Sequence, residues 1–481
     1  MSWSSDFDLE VRDLVVRYGD RQEPALDGIS EVIERGEVVA ISGPSGCGKT
    51  TLCRVLCGVI PGLVPAQVTG EARLGDRRIG HEGAEMLASS IGFVQQDADA
   101  QICTLSVWQE VAFGPENLRL AEEEIRTRVA DALSDLGIES LRDRKTTTLS
   151  GGEKQRLAVA SVLAMRPGIL LLDEPTANLD PRGVQQLFAL LARTTHREAQ
   201  TLILVEHRVE ALRSLAPRLV LLERGRIVRR LSAYAPWDLS PLGLRGDWPP
   251  AASETKASLT LASARHVTFR YRDGGPLIED LSLDLRGGEV LAVIGPNGGG
   301  KTSLLRLLAG LAQPLEGRVE RPRTVRVGFV FQHPHHQIFE RTVRREICFA
   351  PALSPENGES RLREARLDHV AGAAPLSLSL GEQRRLTVAT AMAQHPNILL
   401  LDEPFIGQDR QNVLWVISCL RRVVAEGGAV VLVTHDIPLV DALADRVLFL
   451  DRRTALLGRR DEVFASLRER GDTPFTPEAW R

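Results

Sequence analysis

GPSGCGKTT at Gly43–Thr51 decides how this chain is read, because GPNGGGKTS at Gly295–Ser303 repeats it. Both fit GxxxxGK[ST]. Each follows a strand-like apolar run, EVVAIS or EVLAVI, and precedes a helix-like one, TLCRVLCG or SLLRLLAG. That is the setting a phosphate-wrapping loop needs. Glycines let backbone N–H groups curl around phosphate oxygens, and the N-terminus of the following helix adds positive potential. The nucleotide-binding candidates are Gly43, Pro44, Ser45, Gly46, Cys47, Gly48, Lys49, Thr50 and Thr51. Their second-copy counterparts are Gly295, Pro296, Asn297, Gly298, Gly299, Gly300, Lys301, Thr302 and Ser303. Lys49 and Lys301 are expected to reach the β- and γ-phosphates, and Thr50 and Thr302 to hold Mg2+.

The repeat continues outward from the loops. IGFVQQDADAQIC at Ile91–Cys103 returns as VGFVFQHPHHQIF at Val327–Phe339, and LSGGEK at Leu149–Lys154 as LSLGEQ at Leu378–Gln383. LLLDEP stands at Leu170–Pro175 and again at Leu399–Pro404, and apolar runs end at His207 and His435. In LLLDEP the continuously apolar run predicts a strand buried on both faces. Its carboxylates emerge at the C-terminal end, where nucleotides bind in parallel sheets. Asp173 and Asp402 suit a Mg2+ shell, and Glu174 and Glu403 suit orienting or deprotonating an attacking water.

Order is kept, but spacing is not. The loop lysines are 252 residues apart and the aspartates 229, so the second copy is 23 residues shorter between them. Sixteen of these are lost before Gln332, in the stretch matching TGEARLGDRRIG of the first copy. A trimmed antiparallel β-lobe is expected there. Strand-like and helix-like runs alternate in each half, which predicts an α/β fold of two tandem P-loop domains. Each is expected to have a mostly parallel sheet core, an antiparallel β-lobe and a helical insert that includes AEEEIRTRVADALSDLGI. The expected boundaries are 1–232 for the first domain, 233–260 for a Pro-, Ala- and Ser-rich linker, 261–456 for the second domain and 457–481 for a C-terminal tail.

Composition narrows the class. The 481 residues are 43% apolar and 25% charged, the mix of ordinary globular domains, and the net charge of −4 gives no global field for nucleic acid. Six scattered cysteines include no CxxC pair, which fits a reduced, cytosolic chain. The acidic start MSWSSDFDLEVRD has no apolar leader region, and no run of 18 apolar residues occurs. Cys47, beside a helix N-terminus, is expected to have a partly stabilised thiolate but no role beyond fitting the loop. HPHHQ at His333–Gln337 raises a metal site, but three imidazoles on five residues rarely face one ion.

Taken together, Tyr18, the first loop, Gln96, LSGGE, LLLDEP, ANLD and His207 resemble an ABC-type ATP-binding domain. So do Tyr271, the second loop, Gln332, LSLGE, LLLDEP, IGQD and His435, and the resemblance covers nearly the whole chain. It implies ATP and Mg2+ as ligands. Tyr18 and Tyr271 would stack on adenine, Gln96 and Gln332 would touch Mg2+, and His207 and His435 would contact the γ-phosphate as catalytic groups beside Glu174 and Glu403. Such domains pair head to tail, the signature of one covering the nucleotide of the other. Site one would then join Lys49, Asp173, Glu174 and His207 to Ser379, Leu380 and Gly381. Site two would join Lys301, Asp402, Glu403 and His435 to Ser150, Gly151 and Gly152. Leu380, standing where a glycine is usual, is expected to handicap site one, through torsion and through backbone approach.

Three tasks for such an ATPase compete. A ribosome-associated twin ATPase is expected to carry a long charged helix pair between domains, and a DNA-maintenance ATPase a coiled coil or zinc inserts. The sequence has neither, which leaves the motor of a membrane transporter. IGFVQQDADAQI with SVWQEVAFGPENLRL is similar to ATPases of energy-coupling-factor importers. That similarity implies a coupling subunit, a substrate-binding membrane subunit, and uptake of a vitamin, vitamin precursor or transition metal. The chain would sit peripherally on the cytoplasmic face of the membrane and bind no nucleic acid. The alternatives are a soluble twin ATPase acting on ribosomes or nucleic acid, and the ATPase of an ordinary importer or exporter for another solute.

Overall fold

The computed structural model describes residues 7–19, 23–44, 46–80, 87–198, 200–206, 212, 214–233, 248, 259–271, 275–349, 355–452 and 454–477. The chain forms two compact units, 1–245 and 246–481. Their division falls inside the stretch expected to be the linker, most of which lies outside the described residues.

In the first unit the strands are β1 (Phe7–Arg17), β2 (Leu26–Glu34), β3 (Val38–Ser42), β4 (Gln67–Leu74), β5 (Arg77–Arg78), β6 (Ile91–Val94), β7 (Ile169–Asp173), β8 (Thr201–Val205), β9 (Arg218–Glu223) and β10 (Arg226–Leu231). They make an antiparallel sheet of order β2-β1-β4-β5 and a second sheet of order β10-β9-β3-β8-β7-β6. Only β10 runs antiparallel in the latter. One apolar core lies between the two sheets and the helix Lys49–Leu56, with Leu14, Ile29, Cys53, Leu56 and Ile203 fully buried.

The second unit repeats the plan with β11 (Thr260–Phe269), β12 (Ile278–Arg286), β13 (Val290–Ile294), β14 (Glu316–Glu320), β15 (Val327–Val330), β16 (Ile398–Asp402), β17 (Ala429–Val433), β18 (Arg446–Asp451) and β19 (Thr454–Arg459). Its main sheet, β15-β16-β17-β13-β18-β19, has the same order, while its antiparallel lobe, β12-β11-β14, has three strands against four. This is the trimmed lobe that the spacing predicts. The helical insert is Val107–Asn117 with Glu122–Asp135 in one unit and Val343–Ile347 with Pro355–Glu364 in the other.

β7 and β16 are buried at all five positions, as a strand covered on both faces must be. β3 and β13 lie at the centre of their sheets, so the loops leaving them open at the C-terminal edge beside the ends of β7 and β16. The stretch expected to be a tail folds into the second unit. The helix Arg460–Glu469 and Phe475 share a core with Ile294 of β13, and Phe475 meets Phe449 edge-on at 5.3 Å between ring centroids. Trp248 packs on the helix Arg410–Ala425, with the Arg410 guanidinium 5.9 Å from its ring.

Candidate functional site

The two glycine-rich loops show what their sequence is for. Gly46 and Gly48 take φ of 76° and 107°, and Gly298 and Gly300 take 74° and 97°, a region that side chains resist. A Cβ on Gly48 would stand 2.5 Å from the Ala25 carbonyl oxygen. The helices Lys49–Leu56 and Lys301–Ala309 start on Gly48 and Gly300 with no side chain capping them. Their leading N–H groups therefore line a cradle that suits an anion. Lys49 Nζ donates to the carbonyls of Gly43 (2.9 Å) and Pro44 (3.0 Å), and Lys301 Nζ to those of Gly295 and Pro296 (2.9 Å each). Both ammonium groups are thus folded over their own loops, held by neutral acceptors that a phosphate can outcompete. Ser45 lies outside the described residues.

Cys47 departs from expectation. It is buried, and burial pushes its thiol up more than neighbouring Lys49 pulls it down. The stabilised thiolate predicted from its place near a helix N-terminus is therefore not found, because desolvation outweighs the helix field.

At the strand ends, Asp173 and Asp402 are buried. Thr302 Oγ1 donates to Asp402 Oδ2 at 2.7 Å, so two candidate metal ligands already meet, and an all-oxygen pair fits a hard cation such as Mg2+. Burial pushes the Asp402 carboxyl up, against the Thr302 hydrogen bond and the Lys301 charge. The next residues, Glu174 and Glu403, take φ of 49° and 51°. A left-handed glutamate is strained, and the same strain at the same place in both units makes this turn a candidate for function. Each glutamate N–H still extends the sheet pairing, to Val205 and Val433 carbonyls at 2.9 Å, before the backbone turns away.

Each glutamate has a side-chain neighbour among the described residues. Glu174 Oε2 accepts from Gln96 Nε2 at 2.8 Å, joining two residues that sequence alone places 78 positions apart. Glu403 faces His435, whose N–H lies 3.3 Å from Oε2 and whose Nε2 lies 3.4 Å from Oε1. His435 Nε2 also sits 3.0 Å from Asn297 Oδ1 of the loop. Gln332 is half-buried just after β15, and His207 lies outside the described residues.

Three buried polar residues around the site were not visible in the sequence. Buried Arg384 donates to the Glu403 carbonyl at 2.6 Å and so braces the strained turn. Gln155, at the matching place in the first unit, is fully buried with no hydrogen-bond partner for its amide among the described residues. Glu206, before His207, accepts from Thr176 Oγ1 at 2.6 Å and Thr176 N–H at 3.2 Å. A polar residue next to a motif is the only signal that could have flagged any of them.

Tyr18 OH lies 3.1 Å from Thr51 Oγ1. Tyr271 OH accepts from Ser303 Oγ and Arg306, each at 3.3 Å, and its ring stands edge-on to Phe269. Its exposed ring is thus fixed beside the loop, where a flat base can stack. Tyr271→Ala is expected to raise the KM for ATP about tenfold, since base–aromatic stacking is worth ~1–3 kcal/mol, and to leave kcat within about twofold. Steady-state phosphate release against ATP concentration checks this.

Ser150 and Ser379 cap the helices Gly151–Leu163 and Leu380–Ala393 in capping boxes with Glu153 and Glu382. Gly151 lies at ordinary φ, and a Cβ on it would meet only Asn178 Cβ at 3.8 Å. The torsional handicap expected for Leu380 is therefore absent, because the position is helical. What remains is bulk: Leu380 is 44% exposed at the opening of its helix. Gly381 likewise has room, its nearest neighbour being Gln408 Nε2 at 3.6 Å. His333, His335 and His336 crowd together, yet among the described residues no group of three or more His, Cys, Asp or Glu is placed to hold a metal ion.

Comparison with known proteins points to one family. The family described as "ABC transporter" matches residues 26–177 and 278–406. A protein of Methanosarcina acetivorans named "Putative ABC transporter ATP-binding protein" is 32% identical, over 99% of this chain and 90% of its own length. A Bacillus subtilis protein named "Putative HMP/thiamine import ATP-binding protein" is 32% identical, over 95% of this chain and 92% of its own. Among solved structures, ribosome-bound archaeal Pelota and ABCE1 includes a chain matching 95% of this one and 81% of its own length. It does so with a TM-score of 0.74 at 23% identity, a likeness of fold alone.

Proposed function

This chain belongs to the ABC transporter family, with two tandem ABC ATPase domains, and from that premise we propose that it is the ATP-hydrolysing motor of a membrane transporter. One observation carries the reading: in both units the buried carboxylate strand, β7 or β16, runs into a strained glutamate, in a sheet whose central strand leads into a lysine-bearing anion cradle. In this reading Lys49 and Lys301 hold the phosphates. Thr50, Gln96 and Asp173, with Thr302, Gln332 and Asp402, hold Mg2+, which supplies charge neutralisation at the phosphate oxygens. Glu174 and Glu403 take a proton from water, and His207 and His435 stand by the γ-phosphate.

We further infer head-to-tail closure, each signature covering the opposite loop. Support comes from the signature glycines. Gly151 and Gly381 have room for a side chain within their own units, so the fold does not demand glycine there. A requirement for close approach by something beyond the unit explains them. Membrane subunits are the proposed recipients of the closure, reached from the cytoplasmic face; among the described residues no helix is long and apolar enough to cross a membrane. The name of the Bacillus subtilis relative supports uptake of a vitamin or vitamin precursor, and the likeness of IGFVQQDADAQI and SVWQEVAFGPENLRL to energy-coupling-factor ATPases supports that arrangement.

Tagging the chain in its own host, extracting with mild detergent and isolating what accompanies it tests the proposal. Expected are integral membrane subunits whose presence changes ATP turnover. Co-sedimentation with ribosomes, and no membrane partner, would overturn it.

A further inference from the structure

Between the copies, DADAQIC and HPHHQIF share little but the glutamine, yet spacing is conserved within the chain. Gln101 follows Gln96 by five residues and precedes Glu110 by nine; Gln337 stands in the same relation to Gln332 and Glu346. The structure shows what these positions do. β6 and β15 are edge strands, so the backbone groups at their ends have no neighbouring strand. The side-chain amide of Gln101 replaces one. Its Oε1 accepts from Gln95 N–H at 2.9 Å and its Nε2 donates to the Phe93 carbonyl at 3.3 Å. Gln337 repeats this with Phe331 N–H at 2.7 Å and the Phe329 carbonyl at 3.4 Å.

The far end of each segment is also held. Buried Glu110 Oε2 accepts from Cys103 N–H (3.1 Å), Thr104 N–H (2.9 Å) and Thr104 Oγ1 (2.8 Å). Buried Glu346 Oε2 accepts from Phe339 N–H (2.9 Å) and Glu340 N–H (2.7 Å). Each chain segment that leaves the candidate Mg2+ glutamine is therefore closed on itself at one end and fixed to a helix at the other. Exposed apolar side chains lie just beyond, Leu105 and Phe113 in one unit and Phe339 and Phe349 in the other.

We propose that Gln101 and Gln337 are positioning residues that fix the reach of Gln96 and Gln332 into their sites, with Glu110 and Glu346 as the second anchor of the same segment. The amide clamp fixes the loop length between edge strand and glutamine. In the first unit this leaves Gln96 in contact with Glu174. Loss of the clamp lets the loop swing, and a shift of about 1 Å in a reacting geometry costs on the order of 100-fold at worst. The inference rests on the ATPase reading for its kinetic effect, but not for its structural one.

The test uses the full-length chain and the double substitution Q101M/Q337M, which keeps side-chain length and removes both hydrogen bonds of each clamp. Expected are a kcat about tenfold lower, a KM for MgATP within about twofold, an unchanged melting temperature, and faster amide exchange at Gln95 and Phe331. Q101E/Q337E keeps the acceptor half of the clamp and should regain exchange protection and part of kcat. Unchanged exchange in the methionine variant overturns the clamp. Faster exchange with an unchanged kcat overturns its positioning role. Wild-type protein that binds ATP without turning it over would defeat the ATPase reading instead, and the exchange measurement still decides the clamp.

Discussion

Glu403→Gln is expected to lower ATP turnover at least about 100-fold, while Glu174→Gln keeps at least about half of it. Removing a general base costs about 10²–10⁴ in rate, and glutamine keeps the shape of the side chain, so folding is not in question. The asymmetry has two sources. The first lies within the units. Glu403 sits in a turn braced by Arg384 at its carbonyl. At the position matching that arginine in the first unit, the Gln155 amide has no hydrogen-bond partner among the described residues. The second lies in the proposed pairing. In that proposal site two would take the signature with Gly151 and site one the signature with Leu380, whose side chain is exposed at the opening of its own helix. Steady-state phosphate release by the two variants decides it. If Glu174→Gln stops turnover and Glu403→Gln leaves it largely intact, the assignment of the working site is reversed.

How much of this could be read in the letters depends on the range of the interaction. The two loops and the LLLDEP strands announce themselves because their chemistry is local: a glycine turn and an apolar run. The trimmed lobe was legible too, as a difference in spacing between copies. The torsion at Leu380 was misread, because a glycine in sequence does not say whether its backbone needs to be glycine. The left-handed Glu174 and Glu403 carry no letter-level signal, since strain arises from what surrounds them. Arg384 on the Glu403 carbonyl and Gln96 on Glu174 are tertiary contacts. The stretch 457–481 reads as a tail until β13 and β18 are there to receive its helix.

Gly299→Cys should also abolish most turnover, about 100-fold, although the first loop carries cysteine at the matching position. Identical spacing hides different room. A Cβ on Gly299 would lie 2.6 Å from the Leu450 carbonyl oxygen and 3.0 Å from that of Pro296. Leu450 belongs to β18, paired on both sides within the sheet, so its carbonyl is backbone that cannot step aside. The loop must move instead, and it carries the N–H groups and Lys301 that hold phosphate; displacement of about 1 Å there accounts for the loss. In the first unit the loop is already built around the side chain. Cys47 N–H reaches the Pro44 carbonyl at 3.3 Å, against 3.1 Å for Gly299 and Pro296, and the Cys47 carbonyl is tied to Gly225 N–H at 3.0 Å. Cys47→Gly therefore removes only a small buried group, with an expected cost of about 1 kcal/mol in stability and less than twofold in turnover. Melting temperatures and phosphate release on both variants read the contrast. Wild-type turnover in Gly299→Cys together with loss in Glu403→Gln would mean that the second loop yields without harm, whereas wild-type turnover in both would move the working site to Lys49 and Glu174.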